Sequence, residues 1–192
     1  MNFIAEYQLS DTTICDALLD LFKQAHQKGF TKPGIVGFGT KENPEVKRST
    51  DLYLPDADSL GSPTKFRFPE YHDNLTKFID NYCIERKIYN YCGKFEMRYA
   101  PQIQWYKPDE GFYQWHIDGG HELCERALVF LTYLNDVEEG GTEFLNQNLT
   151  VKAVKGKTII FPTGLTHIHR GQISKTQDKY ILTGWLYWDN TK

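Results

Sequence analysis

The sequence lacks the features that mark several large classes of protein. None of its four cysteines lies in a CxxC pair, which argues against a structural zinc site. No stretch approaches the roughly 18 apolar residues that a membrane-spanning helix requires. The first residues also lack the basic segment followed by an apolar run that is typical of a secretory leader. We therefore expect a soluble, reduced, cytoplasmic protein.

Clusters of basic residues are missing as well. The net charge is −3 over 192 residues, and Lys and Arg do not form the patch that phosphate-rich partners require. We expect neither nucleic acid nor a membrane among the partners. Hydrophobic residues make up 40% of the chain and aromatic residues 15%, which is an ordinary globular composition. This size and composition predict one domain over residues 1–192.

The first half of the chain carries two helical patterns. Apolar residues recur at helical spacing between Ser10, an N-cap residue type, and Gly29, a typical stop. A second apolar stripe follows Pro69 and extends to Tyr82. We expect these two amphipathic helices to cover a sheet.

The segment Phe30–Phe68 between the predicted helices is rich in Gly, Pro, Ser and Asp. Long irregular segments within a compact domain are usually functional or mobile. We interpret this one as a lid over an active site, with Lys47 and Arg48 as candidate contacts to the substrate. A disordered surface loop is the alternative. Residues 1–90 are thus predicted to be a helical flank with a lid loop.

From about residue 91 the sequence changes to short strands separated by turns. Gly140-Gly141 is predicted to form one of these turns. Many short strands with Gly-rich turns indicate a sandwich or a barrel. The predicted fold class is therefore α+β, with N-terminal supporting helices and a β-barrel core over residues 91–192. The clearest strand patterns cover residues 126–135, 142–145, 149–154, 158–161 and 180–188.

The segment 106–118 ends in His116-Ile117-Asp118. Side chains two positions apart on a strand point to the same face. His116 and Asp118 would then supply two-thirds of a 2-His-1-carboxylate triad, which binds ferrous iron and keeps coordination positions open. The tripeptide alone is weak evidence, because it arises by chance in many chains.

The third ligand should come from a later strand. His167 and His169 both qualify by residue type, and their spacing predicts that they share one face. His121 follows two glycines and is interpreted as a loop residue. Lys179, on the predicted final strand, adds a cation. Together these residues suggest non-haem iron chemistry with an anionic co-substrate.

In this combination the sequence resembles the 2-oxoglutarate- and Fe(II)-dependent dioxygenases, most closely their prolyl 4-hydroxylase-like branch, over roughly residues 95–188. The family pattern is a His-x-Asp, a distal His, and a Lys or Arg about ten positions later that binds the far carboxylate of 2-oxoglutarate. His169 and Lys179 have this spacing, whereas His167 would place the neutral Gln177 there. The resemblance therefore favours His169. It also implies a double-stranded β-helix, a jelly-roll or cupin-like core braced by N-terminal helices.

The resemblance implies roles for further residues. Tyr106 lies in a segment similar to the tyrosine-containing segment that precedes the first ligand in relatives. Tyr133 lies where relatives have a Tyr-Leu-Asn strand, whose tyrosine helps to bind 2-oxoglutarate. The candidate ligands of this co-substrate are therefore Lys179, Tyr133 and Tyr106. Fe(II) and 2-oxoglutarate are implied, ascorbate is a further candidate, and no catalytic residue is expected beyond the metal ligands.

The implied activity is a hydroxylation that releases succinate and CO2. A prolyl residue of a peptide or protein is the leading substrate, because aromatic residues precede His116 and proline rings suit aromatic surfaces. Hydroxylation of a free amino acid or another small molecule is the alternative. A non-catalytic binding barrel is less favoured, since a degenerate site should have lost at least one of these residues. Candidate substrate contacts are Lys47, Arg48, Tyr113, Trp115 and Arg170.

Overall fold

The computed structural model describes residues 2–37, 42–54 and 68–188, and within these ranges the chain forms two α-helices and eleven β-strands. The helices are α1 (Thr13–Gln27) and α2 (Pro69–Glu85). All strand pairs are antiparallel. The strands are β1 (Ala5–Gln8), β2 (Lys32–Pro33), β3 (Thr50–Tyr53), β4 (Phe95–Glu96), β5 (Gln102–Tyr106), β6 (Arg126–Tyr133), β7 (Val137–Phe144), β8 (Leu149–Ala153), β9 (Lys157–Pro162), β10 (His169–Gly171) and β11 (Lys179–Trp188).

Both predicted helices are confirmed, and local signals set their ends. The Asp11 carboxylate accepts a hydrogen bond of 2.8 Å from the Thr13 backbone N–H, which satisfies a donor at the start of α1. Gly29 adopts a φ of 75° just after α1, a conformation that favours glycine. Helix α2 begins at Pro69, where the missing N–H costs nothing. None of the described helices has the length and apolarity needed to cross a membrane.

The strands form two sheets that enclose a core. The larger sheet has the order β1-β9-β6-β11-β5-β3-β2, with β4 paired to the end of β11. The smaller sheet has the order β10-β7-β8. Phe144 and Val151 of the smaller sheet form one hydrophobic cluster with Val129 and Phe161 of the larger. A second cluster joins the other face of the larger sheet to α1 and α2. The predicted α+β fold with helices on a β-core is thus confirmed.

The segment that was predicted to be an irregular lid contains strands in its described part. β3 pairs with β5 in the larger sheet, and β2 pairs with β3. The prediction of irregular structure is therefore wrong for Thr50–Tyr53. A buried Asp51 breaks the polar–apolar alternation that would have revealed this strand. Residues 38–41 and 55–67 of the predicted lid lie outside the described residues.

Gly140 and Gly141 do not form the predicted turn. They lie inside β7, where pairing with β8 changes register between Val137 and Thr142. A Cβ on Gly141 would lie 2.2 Å from the carbonyl oxygen of Val151, so only glycine lets the two backbones approach this closely. The pair was predicted as a turn because glycine marks turns and close backbone contacts alike.

We predict that Gly141→Ala destabilises the fold, because the added methyl group has to push the Val151 backbone aside. The expected loss is about 1–3 kcal/mol, the usual cost of overpacking. Denaturant unfolding monitored by circular dichroism would measure it. Gly164→Ala is the matched control, since no atom lies within 4 Å of its Cβ position and its φ is −85°. Equal stability of the two variants would contradict the packing argument.

Candidate active site

Three potential metal ligands from two parts of the chain meet between the sheets. His116 and His169 face each other across an isolated bridge with backbone hydrogen bonds of 3.0 and 2.9 Å. The ligand atoms of His116, Asp118 and His169 all lie within 4.8 Å of one another. Nδ1 of His116 lies 3.0 Å from the backbone carbonyl oxygen of Gln114, and Nδ1 of His169 lies 3.0 Å from that of His167. With Nδ1–H donating there, Nε2 of each neutral imidazole would carry the lone pair that a metal needs, and in His169 a metal would replace the Nε2 proton that faces Asp118.

The local geometry around these ligands differs from the predicted strand. Among residues 116–118 only His116 makes a β-bridge, and the chain bends from Asp118 onward. The bend is held by Gly119, whose N–H donates to the Thr163 carbonyl at 3.0 Å. A Cβ on Gly119 would lie 2.5 Å from the Thr163 hydroxyl, so glycine is needed for this approach. The bend keeps Asp118 beside His169, with 3.3 Å between carboxylate Oδ2 and imidazole Nε2.

His167 lies apart from this cluster. It ends a 3-10 turn, Leu165–His167, so its side chain does not alternate with that of His169 as two strand residues would. The expectation that both histidines share one face is therefore wrong. The His167 ring lies 2.9 Å from the Thr166 hydroxyl and borders a separate pocket beside Gln147.

The surroundings of the cluster shift the pKa values of His116 and Asp118 in the directions that favour cation binding. Burial, and then the charge of His169, lower the pKa of His116 to about 4. Burial raises the pKa of the Asp118 carboxyl, but its hydrogen bond with His169 and the charges of both histidines outweigh burial and hold that pKa well below its usual range. Neutral imidazole beside an ionised carboxylate is the protonation state that metal binding requires.

The three residues line a cavity of about 610 Å³ between the two sheets. This volume suits a small co-substrate together with part of a second molecule. Apolar side chains such as Val129, Phe161 and Ile181 form much of its wall. Its polar wall includes Lys47, Gln102, Gln104, Tyr106, Arg126, Thr142, Lys179 and Thr183.

Lys179 presents a buried ammonium group to this cavity. The side chain is only 6% exposed, and its one hydrogen bond within the described part of the chain goes to the Gly141 carbonyl at 3.4 Å. Burial lowers its pKa to about 8, and no carboxylate opposes that shift. A buried cation without an anionic partner is costly unless a ligand supplies one. The predicted anion-binding position therefore fits the carboxylate of a bound molecule.

The two predicted tyrosines differ in their access to the cavity. Tyr106 lines the cavity, and its ring centroid lies 5.6 Å from the Lys179 ammonium nitrogen. The Tyr106 hydroxyl donates a hydrogen bond to the side-chain carbonyl of Gln104. Burial, followed by the nearby carboxylates, raises its pKa well above the ordinary value, so the phenol remains a donor. Tyr133 is fully buried behind Thr142, with 2.6 Å between their hydroxyl oxygens. Thr142 lines the cavity and Tyr133 lies behind it, so the role of Tyr133 as a direct ligand of the co-substrate stays a prediction.

Of the predicted substrate contacts, only Lys47 lines the cavity; the others lie outside its lining. Arg48 is exposed and Tyr113 donates to the Asp109 carbonyl. Trp115 lies under the Arg170 guanidinium at 4.4 Å from ring centroid, at the surface.

The structure adds wall residues that the sequence reasoning missed. The Arg126 guanidinium lies over the Trp185 ring, 3.7 Å from the ring centroid. Phe112 stacks on the His116 imidazole with 3.6 Å between ring centroids. Trp185 Nε1 and Gln102 Oε1 are buried without a partner among the described residues, which suits a polar ligand. The residue types of these side chains do not by themselves predict a position at the cavity wall.

The donor set fits the group that the resemblance implied. Two imidazoles and one carboxylate form the facial triad of non-haem Fe(II) oxygenases, which leaves coordination positions open. The buried ammonium of Lys179, in the same cavity, fits one carboxylate of a dicarboxylic co-substrate.

Comparison with known proteins agrees with this chemistry. Residues 101–187 match the model of the 2OG-Fe(II) oxygenase superfamily. A search of the curated proteins gives no match. Among solved structures, the fold is similar to a prolyl hydroxylase from Trichoplax adhaerens in complex with a hypoxia inducible factor peptide fragment, with a TM-score of 0.73, 18% identity, and 98% and 84% of the two chains covered.

Two further solved structures share the fold. One is a prolyl-4-hydroxylase from Pseudomonas putida, with a TM-score of 0.70, 15% identity, and 97% of this chain and 94% of that chain covered. The other is the viral collagen prolyl hydroxylase of Paramecium Bursaria Chlorella virus-1 in its 2OG complex, with a TM-score of 0.66, 19% identity and 96% coverage of both chains. All three are double-stranded β-helix proteins, which confirms the predicted core.

The clustered triad has the ligand types of a non-haem iron site, and the fold is similar to that of the three prolyl hydroxylases. The match to the 2OG-Fe(II) oxygenase superfamily model covers residues 101–187, somewhat less than half of the chain.

Proposed function

We propose that the protein hydroxylates prolyl residues in a peptide or protein and releases succinate and CO2. The observation that carries this proposal is that one cavity holds both a 2-His-1-carboxylate cluster and a buried ammonium without an anionic partner. His116, Asp118 and His169 would hold Fe(II). With Fe(II) bound, dioxygen would be the oxidant: one of its atoms would enter the C–H bond as C–OH, and the other would enter the succinate that forms as 2-oxoglutarate loses CO2.

The chain's own residues bind and orient the co-substrate. Lys179 holds one carboxylate through a charge-assisted hydrogen bond, and the hydroxyls of Thr142 and Tyr106 lie on the same cavity wall. Ile181 and Phe161 exclude water from this region, which strengthens each polar contact.

A polypeptide substrate is supported by the outer part of the cavity. Two of its lining tyrosines remain accessible, Tyr53 at 48% and Tyr99 at 63% exposure. Exposed aromatic rings next to an open cavity suit the flat face of a proline ring in an extended chain. The fold is also shared with the prolyl hydroxylase from Trichoplax adhaerens, which is in complex with a peptide fragment.

The product of the reaction tests the proposal. Purified enzyme is incubated with Fe(II), 2-oxoglutarate, ascorbate and a panel of proline-containing peptides, and mass spectrometry locates any added oxygen. We expect one oxygen on proline, with one succinate formed for each. Oxidation of free amino acids alone, or succinate release that no peptide stimulates, would instead support the small-molecule alternative.

The pKa of Lys179 predicts how co-substrate use depends on pH. Because burial lowers this pKa to about 8, the ammonium loses its proton in the free enzyme above that pH. The value of kcat/KM for 2-oxoglutarate should therefore fall above pH 8, approaching tenfold per pH unit. Lys179→Arg should flatten this decline, since a guanidinium stays charged. The same decline in both proteins would assign it to another group.

A further inference from the structure

Lys47 is a second buried ammonium in the active-site cavity. Only 4% of the residue is exposed, and it lines the same cavity as the metal-ligand candidates. Buried lysines are rare unless they are paired, so this position has a specific cause. Lys179 and the triad already account for iron and 2-oxoglutarate, whereas Lys47 has no part in holding either.

Backbone contacts fix Lys47 beside the metal-ligand candidates. The backbone of Lys47 forms an isolated antiparallel β-bridge with Phe112, and the Phe112 ring stacks on the His116 imidazole. The hydrogen bonds from Arg48 N to Gly111 O and from Tyr113 N to Val46 O extend this contact, at 2.9 and 2.8 Å. Lys47 therefore lies on the side of the cavity where the reacting part of a substrate belongs.

A carboxylate behind Lys47 cancels its charge. Lys47 Nζ donates to Asp51 Oδ2 at 2.8 Å, and the Ser49 hydroxyl donates to the other carboxylate oxygen at 2.7 Å. Asp51 is 1% exposed and is not part of the cavity wall. An ammonium has three N–H donors. Within the described residues only the bond to Asp51 engages them, so donors remain for a ligand in the cavity.

We propose that Lys47 donates a hydrogen bond to a backbone carbonyl oxygen of the polypeptide substrate, and that the Lys47–Asp51 pair selects amides over free carboxylates. This proposal rests on the proposed function. The pair is neutral as a unit, so it offers donors without a net attraction for an anion. A substrate carboxylate would lose hydration and meet the buried charge of Asp51, whereas a neutral carbonyl would not. The pair therefore favours a residue within a chain over a free amino acid.

Two matched substrates and two variants test this selection. N-acetyl-Gly-Pro-Gly amide carries an amide after the proline, and N-acetyl-Gly-Pro carries a carboxylate there. Asp51→Asn retains a partner for Ser49 but leaves Lys47 positive. The double variant Lys47→Met/Asp51→Asn removes donors and charge together, without stranding a buried carboxylate. The control is Lys155→Met/Asp16→Asn, which removes an exposed pair joined at 2.7 Å.

We expect the wild-type protein to use the amide at least tenfold better in kcat/KM. Asp51→Asn should reduce this preference at least tenfold, and the double variant should raise KM for the amide at least tenfold. The control should match the wild type, and circular dichroism melts verify folding. An unchanged KM in the folded double variant, or a wild-type preference for the carboxylate, would overturn the role of Lys47 alone. Oxidation of neither substrate by the wild type would overturn the proposed prolyl substrate as well.

Discussion

Replacing His169 with alanine is expected to abolish iron binding and hydroxylation, whereas His167→Ala should leave iron affinity within severalfold of the wild type. His169 Nε2 is part of the ligand cluster, and His167 borders a different pocket. Loss of a direct ligand should exceed the 10–100-fold effect typical of groups that only support ligands. The neighbouring carbonyl of residue 167, which accepts from His169 Nδ1, is backbone and survives the His167 substitution.

Anaerobic titration with Fe(II), followed by calorimetry, separates the two variants. His167 is buried, so its loss is expected to lower the melting temperature even where iron affinity persists. Melting in the presence and absence of metal therefore distinguishes the two effects, since a bound metal stabilises the folded state. Strong iron binding by the His169 variant with loss of binding by the His167 variant would reverse the assignment.

The secondary structure was largely predictable because its signals are local. The apolar stripes of α1 and α2, and the apolar run of β6, each lie within one short window of sequence. β3 was missed because its burial depends on a partner far away in sequence. Asp51 is polar, yet it lies inside because Lys47 neutralises it. Tertiary context overrides local pattern at such a position.

Only those residues of the candidate site that belong to a recognisable sequence spacing could be predicted. His-x-Asp and the interval from His169 to Lys179 are readable along the chain, and the structure brings all four residues to one cavity. Thr142 was missed because its place on the wall depends on pairing between distant strands. The same holds for the stacking of Arg126 on Trp185, which joins two strands of the larger sheet.

Lys179→Met is expected to raise the KM for 2-oxoglutarate by about 30-fold or more, with iron affinity nearly unchanged. Methionine retains much of the side-chain volume but cannot pair with a carboxylate. Loss of one partner of a buried charged pair costs roughly 2–5 kcal/mol, and the lower limit corresponds to that 30-fold change. Initial rates at varied 2-oxoglutarate, with Fe(II) titration in parallel, would measure both quantities. An unchanged KM would remove Lys179 from the co-substrate site.

The hydroxyl groups around Lys179 should contribute in a graded way. Tyr106→Phe removes a donor on the cavity wall and should raise this KM more than Tyr133→Phe, whose hydroxyl acts through Thr142. A double-mutant cycle isolates that indirect route. If Tyr133 only orients the Thr142 hydroxyl, Tyr133→Phe should raise KM in the wild-type background and have no effect in Thr142→Val. Equal effects in both backgrounds would mean that Tyr133 contacts 2-oxoglutarate directly, after a rearrangement that opens the wall at Thr142.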